Sequence, residues 1–454
     1  MTDKEILSSI SNLTQKLDAA MTEIVLLKEE NLSLKEEIRV LKTGKNSSNS
    51  SKPPSSNIVN ISRSLREKSI KTSGGQIGHE GKTLEFKAIP DFIEEHIPDF
   101  CTSCGKDITS NESFIQEKRQ VVDIPPVSAI FTEHRIYKKI CSCGKTSCGT
   151  FPQEVKASIQ YGARIESLIA YMSSRQYIPY ARISEYFKQI HQLPISEGTI
   201  DNCLKRFHQK ALSFYQTIKS KIYDSLFVGG DETGCKINGE KYWIWVWQTT
   251  HYNYITVSKS RGSQAILDEF PEGLPNCILT SDAWAAQLST NAKSHQLCIS
   301  HLMRDLKYFI ETFKCEWSNQ INEVFKDAIK LKRELLKEDY CIENQKVNQI
   351  ENRINLLLEN EDFERKEVKS FRKRLLKNRM YLFEFLKYKE VEPDNNSSER
   401  AIRNVKVKQK ISTQFKTIDG AKIFVVMRSI IDTAIKNNLN IFDTLFYIAN
   451  LRAE

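Results

Sequence analysis

The sequence predicts a multidomain α/β protein, on three observations. Its 454 residues are enough for more than one hydrophobic core. The N-terminal segment repeats apolar residues with the heptad period of a long helix, and from residue 226 onward short apolar strands alternate with helical segments. We therefore expect a coiled coil, a linker, a cysteine-rich module, a helical domain and an α/β core that carries a helical insertion. In chain order we expect the coiled coil at 1–44, the linker at 45–90, the cysteine-rich module at 91–156 and the helical domain at 157–225. The α/β core begins at 226–310, its helical insertion follows at 311–390, and the last part of the core is 391–454.

The N-terminal helix carries an apolar seam over five heptads. Positions a are Ile10, Leu17, Ile24, Asn31 and Ile38, and positions d are Ile6, Leu13, Ala20, Leu27, Leu34 and Leu41. A single Asn at an a position favours a parallel dimer, so we expect a homodimer or higher oligomer; docking of the helix on its own protein is the alternative. A Ser/Asn/Pro-rich stretch, residues 45–57, and a glycine-rich one, residues 73–82, then predict a flexible linker.

Composition excludes some classes of protein. No apolar stretch approaches the roughly 20 residues that span a bilayer, and the first residues lack a signal-peptide pattern, so we expect a soluble cytoplasmic protein without membrane contact. The 66 Lys and Arg residues exceed the 57 Asp and Glu residues by nine. That balance fits local contact with phosphates, but evenly solvated lysines explain it equally well.

Five of the eleven cysteines lie close together in the sequence, whereas the others are isolated. The five are Cys101, Cys104, Cys141, Cys143 and Cys148. In a reducing cytoplasm such short spacings indicate a metal site rather than disulfide bonds.

Residues 157–225 have the apolar spacing of several helices. Between the last two of them, Pro194 ends one helix and Ser196 is a candidate N-cap of the next. Two helices joined by a short turn form a helix-turn-helix arrangement, which would allow DNA contact. An ordinary helical domain has the same pattern.

The segment from Leu226 to Asp231 is predicted to be a strand that ends on a carboxylate. Asn238-Gly239 predicts a type I′ hairpin, and two more strands follow at 242–247 and 252–257. A helix at 264–270 then leads to a fourth strand that ends on Asp282. Strand, strand, strand, helix, strand is the order of the ribonuclease H-like fold, in which the first and fourth strands lie side by side. We therefore expect Asp231 and Asp282 to be neighbours.

A third acid, Glu399, follows the polar run Asp394-Asn395-Asn396-Ser397-Ser398, whose Asn and Ser residues can cap a helix start. Clustered carboxylates repel one another unless cations lie between them, and hard oxygen ligands suit Mg²⁺ or Mn²⁺. Two such ions, roughly 4 Å apart, would support in-line phosphoryl displacement. The long, highly charged stretch between Asp282 and Glu399, about residues 315–388, predicts the helical insertion.

The sequence resembles the insertion-sequence-66 family of bacterial DDE transposases over nearly its whole length. The motifs that carry the resemblance are Asn46 to Ser56, Gly74 to His79, Asp231-Glu232-Thr233-Gly234, Ser281-Asp282, His295 to Leu306, Asn395 to Arg400 and Val405 to Lys410. The resemblance implies metal-dependent DNA cleavage and strand transfer in the bacterial nucleoid, with Asp231, Asp282 and Glu399 as catalytic acids. It implies DNA as the partner, both transposon ends and target, and leaves open whether accessory proteins take part.

Two departures from the family pattern stand out. Asp282 is followed by Ala283-Trp284, where the family more often has Gly-Tyr. The cysteine motif is compressed relative to the family's two Cys-x-x-Cys pairs. Four thiolates still satisfy tetrahedral Zn²⁺, so we expect Cys101, Cys104, Cys141 and Cys143 to hold a structural zinc, with Cys148 able to replace Cys141 or Cys143. Reduced, unliganded cysteines are the alternative.

Further charged residues lie near the predicted site. His301 and Arg304 are candidates for supporting the acids, together with Asp305, although a structural role is commoner for such a histidine. Around the third acid, cations would hold DNA phosphates: Arg400, Arg403, Lys406, Lys408 and Lys410. Two other functions compete with transposition, a DNA-binding regulator derived from a transposase and a nuclease or resolvase of the same fold.

Overall fold

The computed structural model describes residues 3–42, 85–125, 127–335, 340, 344–360, 363 and 365–451. The chain divides into two compact units, one of residues Ser62–Ile130 and one that combines Met1–Ile61 with Phe131–Glu454. The glycine-rich segment 73–82 and the predicted linker as far as residue 84 lie outside the described residues, as do the family motifs within them.

The N-terminal segment forms one helix, α1 (Asp3–Lys42). Its described apolar side chains are exposed, including Leu17 at 63%, Ile24 at 47% and Leu27 at 56%. The described seam residues therefore find no buried environment within the chain. A partner helix on this seam remains a prediction.

The described part of the 62–130 unit is mostly irregular. Phe100 and Asp107 form an isolated antiparallel bridge around a tight turn. Gln120 exchanges two hydrogen bonds with the backbone of Lys87, each 2.8 Å long. Within the other unit, β1 (Lys138–Ile140) and β2 (Thr146–Cys148) form a small antiparallel hairpin.

Helices follow as the apolar spacing predicted. These are α2 (Ala163–Ala170), a π-helical turn (Tyr171–Arg175), α3 (Tyr180–Ile190) and α4 (Glu197–Tyr223). The Oγ of Ser196 accepts a hydrogen bond from the backbone N–H of Thr199 at 3.1 Å, which confirms Ser196 as the N-cap of α4.

A five-stranded mixed sheet comes next, ordered β5-β4-β3-β6-β7. The strands are β3 (Phe227–Ile237), β4 (Glu240–Gln248), β5 (Asn253–Ser258), β6 (Leu274–Ser281) and β7 (Ala292–Leu297). The first three pair antiparallel, whereas β3–β6 and β6–β7 are parallel. Helix α5 (Ser263–Glu269) separates β5 from β6, so the predicted order of strands and helix is confirmed.

One strand boundary was wrong. We expected the first strand to end at Asp231, but β3 continues to Ile237 because its pairing with β4 runs from Asp231↔Val246 to Ile237↔Glu240. The hairpin is where we expected it. Asn238 has φ 47° and Gly239 has φ 81°, and two consecutive positive φ angles are what a type I′ turn requires.

Between the sheet and the third acid, helices pack around a separate hydrophobic core that includes Trp317, Phe325, Ile354 and Phe371. They are α7 (Ile299–Phe313), α8 (Glu316–Glu334), α9 (Gln345–Glu359) and α10 (Lys366–Lys377). Short helices α6 (Ala285–Leu288) and α11 (Glu384–Lys387) precede and follow this group.

The chain then returns to the sheet through α12 (Asn396–Ser412), α13 (Ile418–Lys436) and α14 (Ile441–Ala449). Most residues of helix α13 are buried, and the Oγ of its Ser429 accepts a hydrogen bond from the N–H of Ile255 on β5 at 2.9 Å. Among the helices in the described ranges, none combines the length and apolarity needed to cross a bilayer.

Candidate active site

Asp231 and Asp282 come from neighbouring parallel strands. The register pairs Gly229 on β3 with Thr280 on β6, and two residues further along each chain lie Asp231 and Asp282. Burial raises the pKa of Asp231 well above its ordinary value, and the carboxylates of Asp282, Glu232 and Glu399 raise it further. Asp282 and Glu399 thus each lie near enough to Asp231 for their charges to act on it.

Glu399 lies in the first turn of α12 and faces two arginines and one histidine. Its Oε1 is 3.1 Å from Arg304 Nη2 and 3.7 Å from His301 Nε2, and its Oε2 is 3.8 Å from Arg403 Nη2. Burial and then the charge of Arg304 lower the pKa of His301. Arg304 therefore provides most of the positive charge beside the third acid.

The loop before α12 is anchored to β3. Asn395 Nδ2 donates to the carbonyl oxygen of Gly230 at 2.6 Å, and its Oδ1 accepts from Ser398 Oγ at 2.6 Å. Asn395 occupies the N-cap position, but its side chain does not cap the helix, so the predicted capping role was wrong for this residue. The reason is that its Oδ1, the atom that would accept from a helix N–H, accepts from the Ser398 hydroxyl instead, while its Nδ2 donates to the strand that carries Asp231.

The two glycines before Asp231 make this close approach possible. A Cβ on Gly229 would lie 2.7 Å from Asn395 Oδ1 and 2.8 Å from Ser398 Oγ. A Cβ on Gly230 would lie 2.4 Å from Gln287 Oε1. All three neighbours are buried, so a side chain at either glycine would force these side chains out of their contacts beside the strand.

The turn after Asp282 is held by the acid itself, because its Oδ1 accepts a hydrogen bond from the N–H of Trp284 at 3.1 Å. Between them, Ala283 has φ 69°, in the left-handed region that favours glycine. The glycine expected at this position from the family resemblance suits that backbone without strain.

Comparison with protein families identifies the chain. The family model described as Transposase IS66 family matches residues 158–423, more than half of the chain. The chain belongs to the Transposase IS66 family. A second model, described as a family of unknown function (DUF6444), matches residues 5–85, and no curated protein matches the sequence.

The match confirms the resemblance seen in the motifs, and its span includes Asp231, Asp282 and Glu399. Membership of the Transposase IS66 family supports a transposase role, and it implies DNA binding and the use of divalent metal ions. The fold agrees at the level of a mixed α/β protein whose helices surround a five-stranded sheet.

Carboxylate oxygens are the ligands that Mg²⁺ and Mn²⁺ prefer, so the donor set of this IS66-family site fits the implied ions. Burial is the main cause of the raised pKa of Asp231, and the neighbouring carboxylates raise it further; a bound cation would relieve that repulsion. Within the part of the chain that the structure describes, however, no three His, Cys, Asp or Glu side chains are gathered into a ready metal site. Glu399 is paired with Arg304 instead.

Sequence reasoning missed Glu232, Arg261 and Gln287. The Oε1 of buried Glu232 accepts from Arg261 Nε at 3.0 Å and Nη2 at 2.9 Å, and its Oε2 accepts from Gln287 Nε2 at 3.1 Å. Burial and the charge of Asp282 raise the pKa of Glu232, against the lowering effect of Arg261 and Gln287. The only sequence signal was the carboxylate directly after Asp231 in the family motif.

The predicted DNA-contacting residues all lie on α12. Arg400, Arg403, Lys406 and Lys410 are exposed, and Lys408 is half-buried. Lys406 differs from the rest because its Nζ donates to the carbonyl oxygen of Gly234 on β3 at 3.1 Å. Partial loss of water around the ammonium group lowers the pKa of Lys406, although most of its side chain is exposed, and burial lowers that of Lys408.

The cysteine pairs form two turns of the same design. Cys101 N–H donates to the carbonyl of Lys106 at 2.8 Å, and Gly105 N–H, with φ 73°, donates back to Cys101 at 2.9 Å. Around the second pair, the N–H of Cys141 donates to the carbonyl of Lys145 and the N–H of Gly144 donates to the carbonyl of Cys141, both at 2.8 Å. Gly144 has φ 80°. Backbone N–H groups of Cys104 and of Cys143 lower the pKa of the Cys101 and Cys141 thiols.

Proposed function

We propose that this chain is a DDE transposase that cleaves DNA at the ends of an insertion sequence and transfers the cut strand to a target. Asp231, Asp282 and Glu399 are its catalytic acids. The observation that carries the proposal is the origin of the three acids, from adjacent parallel strands and from a helix anchored to the first strand. The strand order β5-β4-β3-β6-β7 with α5 before β6 supports a ribonuclease H-like core.

The three carboxylates would hold the divalent metal ions, Mg²⁺ or Mn²⁺ and two in number. When bound, these ions activate a water or a 3′-hydroxyl and stabilise the leaving oxygen of an in-line displacement. The chain's own residues set the geometry. The pairing register of β3 with β6 supports neighbouring positions for the first two acids, and the contact of Asn395 with β3 supports the position of the helix that carries the third.

Arg304 has a distinct part in this arrangement. It pairs with Glu399 at 3.1 Å and remains 29% exposed. A guanidinium in this position can exchange the carboxylate for a DNA phosphate. The carboxylate is planar and the phosphate tetrahedral, but each offers oxygens that accept two N–H donors from one arginine. His301, whose pKa burial lowers, lies 3.7 Å from the Oε1 of Glu399 and is the proposed positioning residue beside it.

DNA phosphates are the partner we propose for the exposed face of α12, with Arg400, Arg403 and Lys410 as its principal contacts and Lys406 and Lys408 beside them. Cations on one helix next to the acids would hold the scissile strand near them. A homodimer through α1 would bring two such sites to two transposon ends. The exposed Leu and Ile seam of α1 supports that assembly.

We also propose that Cys101, Cys104, Cys141 and Cys143 bind one structural Zn²⁺, with Cys148 as the replacement ligand. Each cysteine turn, taken by itself, has backbone N–H groups directed at a thiol and a glycine with positive φ, features that suit a zinc-binding turn. Elemental analysis of the full chain should find about one Zn per chain, and Cys104→Ser should abolish it. Metal-free protein with an unchanged melting profile would contradict the zinc site.

The catalytic proposal is tested with Asp231→Asn, Asp282→Asn and Glu399→Gln in a cleavage and joining assay on DNA that carries the element's own ends. Each variant should lose cleavage and joining but keep end binding, because the amide preserves shape and removes charge. Asp224→Asn, at an exposed position after α4, is the matched control and should remain active. Cleavage without joining would indicate a nuclease or resolvase, and specific binding without cleavage a regulator.

A further inference from the structure

Besides the pairing of β3 with β6, the strand of Asp231 and the turn of Asp282 are connected through Arg261, which follows β5. On one side, Arg261 donates from Nε and Nη2 to Oε1 of Glu232, at 3.0 and 2.9 Å. Glu232 is the residue next to Asp231, and its side chain is only 2% exposed. Arg261 is thus tied to the strand that carries the first acid.

On its other side, Arg261 is tied to the turn that carries the second acid. Its guanidinium carbon lies 3.9 Å from the centroid of the Trp284 ring, and the Nε1–H of Trp284 donates to the carbonyl oxygen of Arg261 at 3.1 Å. The backbone N–H of Trp284 in turn donates to Oδ1 of Asp282 at 3.1 Å. We call Glu232, Arg261 and Trp284 together the Arg261 clasp.

The energetics favour a fixed geometry for the clasp. Removing Arg261 would leave the charge of the buried Glu232 carboxylate without its cationic partner, which strongly disfavours other arrangements of the two side chains. The planar guanidinium satisfies the carboxylate with two N–H groups while stacking on Trp284 and, at 4.7 Å, on Trp243. A lysine can reproduce the charge but neither the two-donor contact nor the stacking.

We propose that Arg261 is a positioning residue that fixes the spacing between Asp231 and Asp282 through the Arg261 clasp. This inference rests on the proposed function, because the spacing matters only if both acids serve one reaction centre. Gln287 supports the same arrangement, since it donates to Glu232 at 3.1 Å from α6, the helix that follows the Asp282 turn. The clasp explains why a tryptophan is accommodated after Ala283.

The test is Arg261→Lys in the full chain, with Mn²⁺ affinity measured from the free-ion electron paramagnetic resonance signal. The substitution keeps the local charge, so any change in affinity reports geometry rather than electrostatics. Arg206→Lys is the matched control, because Arg206 makes the same contacts with buried Glu166, at 3.0 and 2.9 Å, in the helical segment before β3. Asp231→Asn marks which Mn²⁺ sites belong to the acids.

We expect Arg261→Lys to weaken the Asp231-dependent Mn²⁺ binding about tenfold, the lower end of what loss of a residue supporting metal ligands costs. The Mg²⁺ concentration for half-maximal cleavage should rise in parallel, while Arg206→Lys matches wild type in both. Trp284→Phe keeps a ring but loses the Nε1–H donor, so it should also weaken Mn²⁺ binding. It is the second test variant and replaces Arg261→Lys if that variant does not fold.

Two results would overturn the inference. One is Mn²⁺ affinity within twofold of wild type for both clasp variants, and the other is an equal loss in Arg206→Lys. These outcomes differ from failure of the proposed function. If the proposed function failed, the wild-type protein would not cleave DNA, and its Mn²⁺ binding would be the same as that of Asp231→Asn. The clasp would then have no reaction centre to support.

Discussion

Asn395 donates a hydrogen bond to the carbonyl oxygen of Gly230 at 2.6 Å, which joins the residue before helix α12 to the residue before Asp231. A second contact from the same loop, Ile299 N–H to the carbonyl of Pro393 at 2.9 Å, fixes the loop to the start of α7. The third acid therefore takes its position from a backbone contact with the strand of the first acid.

Asn395→Ala should uncouple Glu399 from β3. We expect cleavage to fall about 100-fold with DNA binding retained, since misplacing a catalytic group by about 1 Å costs that much. The free energy of unfolding should fall by about 1–3 kcal/mol, because the buried Gly230 carbonyl loses its donor. Asn396→Ala is the control, because the side-chain amide of Asn396 donates to Asp394, two residues earlier, and not to β3. Cleavage within threefold of wild type for Asn395→Ala would contradict the anchoring role.

Ala283→Gly should stabilise the protein. Ala283 has φ 69°, and glycine adopts that conformation without the steric cost that a Cβ brings. We expect the free energy of unfolding in denaturant to rise by about 0.5–1 kcal/mol with activity unchanged or higher. Ala285→Gly, in α6 two residues on, is the opposite-sign control, because glycine within a helix destabilises. A melting curve that shifts downward for Ala283→Gly would show that the turn is not strained.

Much of this arrangement could be predicted from the sequence because it depends on local signals. Asp282 directly follows a short apolar strand, and Asn238-Gly239 needs only its own backbone preferences to form a hairpin. The end of β3 was misplaced because a polar residue such as Asp231 looks like a strand end, whereas pairing with β4 carries the strand six residues further. Strand pairing is a long-range contact that a local pattern does not contain.

The contacts around the acids are of the same long-range kind. Asn395 reads as a helix cap in the sequence, and only the approach of β3 turns its amide toward Gly230. Arg261 is 29 residues from Glu232, and its role depends on how the β4–β5 hairpin and the Asp282 turn come together. Residue type and spacing identified the acids themselves, since carboxylates at strand ends are visible locally, but not the side chains that hold them.

The contribution of buried His295 to stability should fall as the pH is lowered below about 6.5. Burial lowers the pKa of His295 from its ordinary value of 6.5, so its protonated form favours the unfolded chain. The stability due to the neutral ring is therefore complete above the unfolded-state pKa and is lost below it, by at most about 1.4 kcal/mol per pH unit for one group. His208 and His301, whose pKa values burial also lowers, add to the loss.

Denaturant unfolding between about pH 7 and pH 5 measures this effect. His295→Phe should flatten the pH dependence of the unfolding free energy, because the ring at this position no longer titrates. His251→Phe, at an exposed position in the β4–β5 turn, should leave the dependence as in wild type. Equal slopes for wild type and His295→Phe would show that His295 does not contribute.

Lys406 and Lys410 lie one helical turn apart on α12 and should respond differently to substitution by alanine. Lys410 is exposed, so Lys410→Ala should weaken DNA binding at low salt and reduce the slope of log affinity against log salt by about one, with the melting temperature unchanged. Lys406 donates to the Gly234 carbonyl on β3, so Lys406→Ala should also lower the free energy of unfolding, by about 1 kcal/mol.

Gel-shift titrations at several salt concentrations, with thermal melts of the same preparations, separate the two effects. An unchanged salt slope for Lys410→Ala would remove it from the DNA surface, and an unchanged melt for Lys406→Ala would make its contact with β3 energetically neutral.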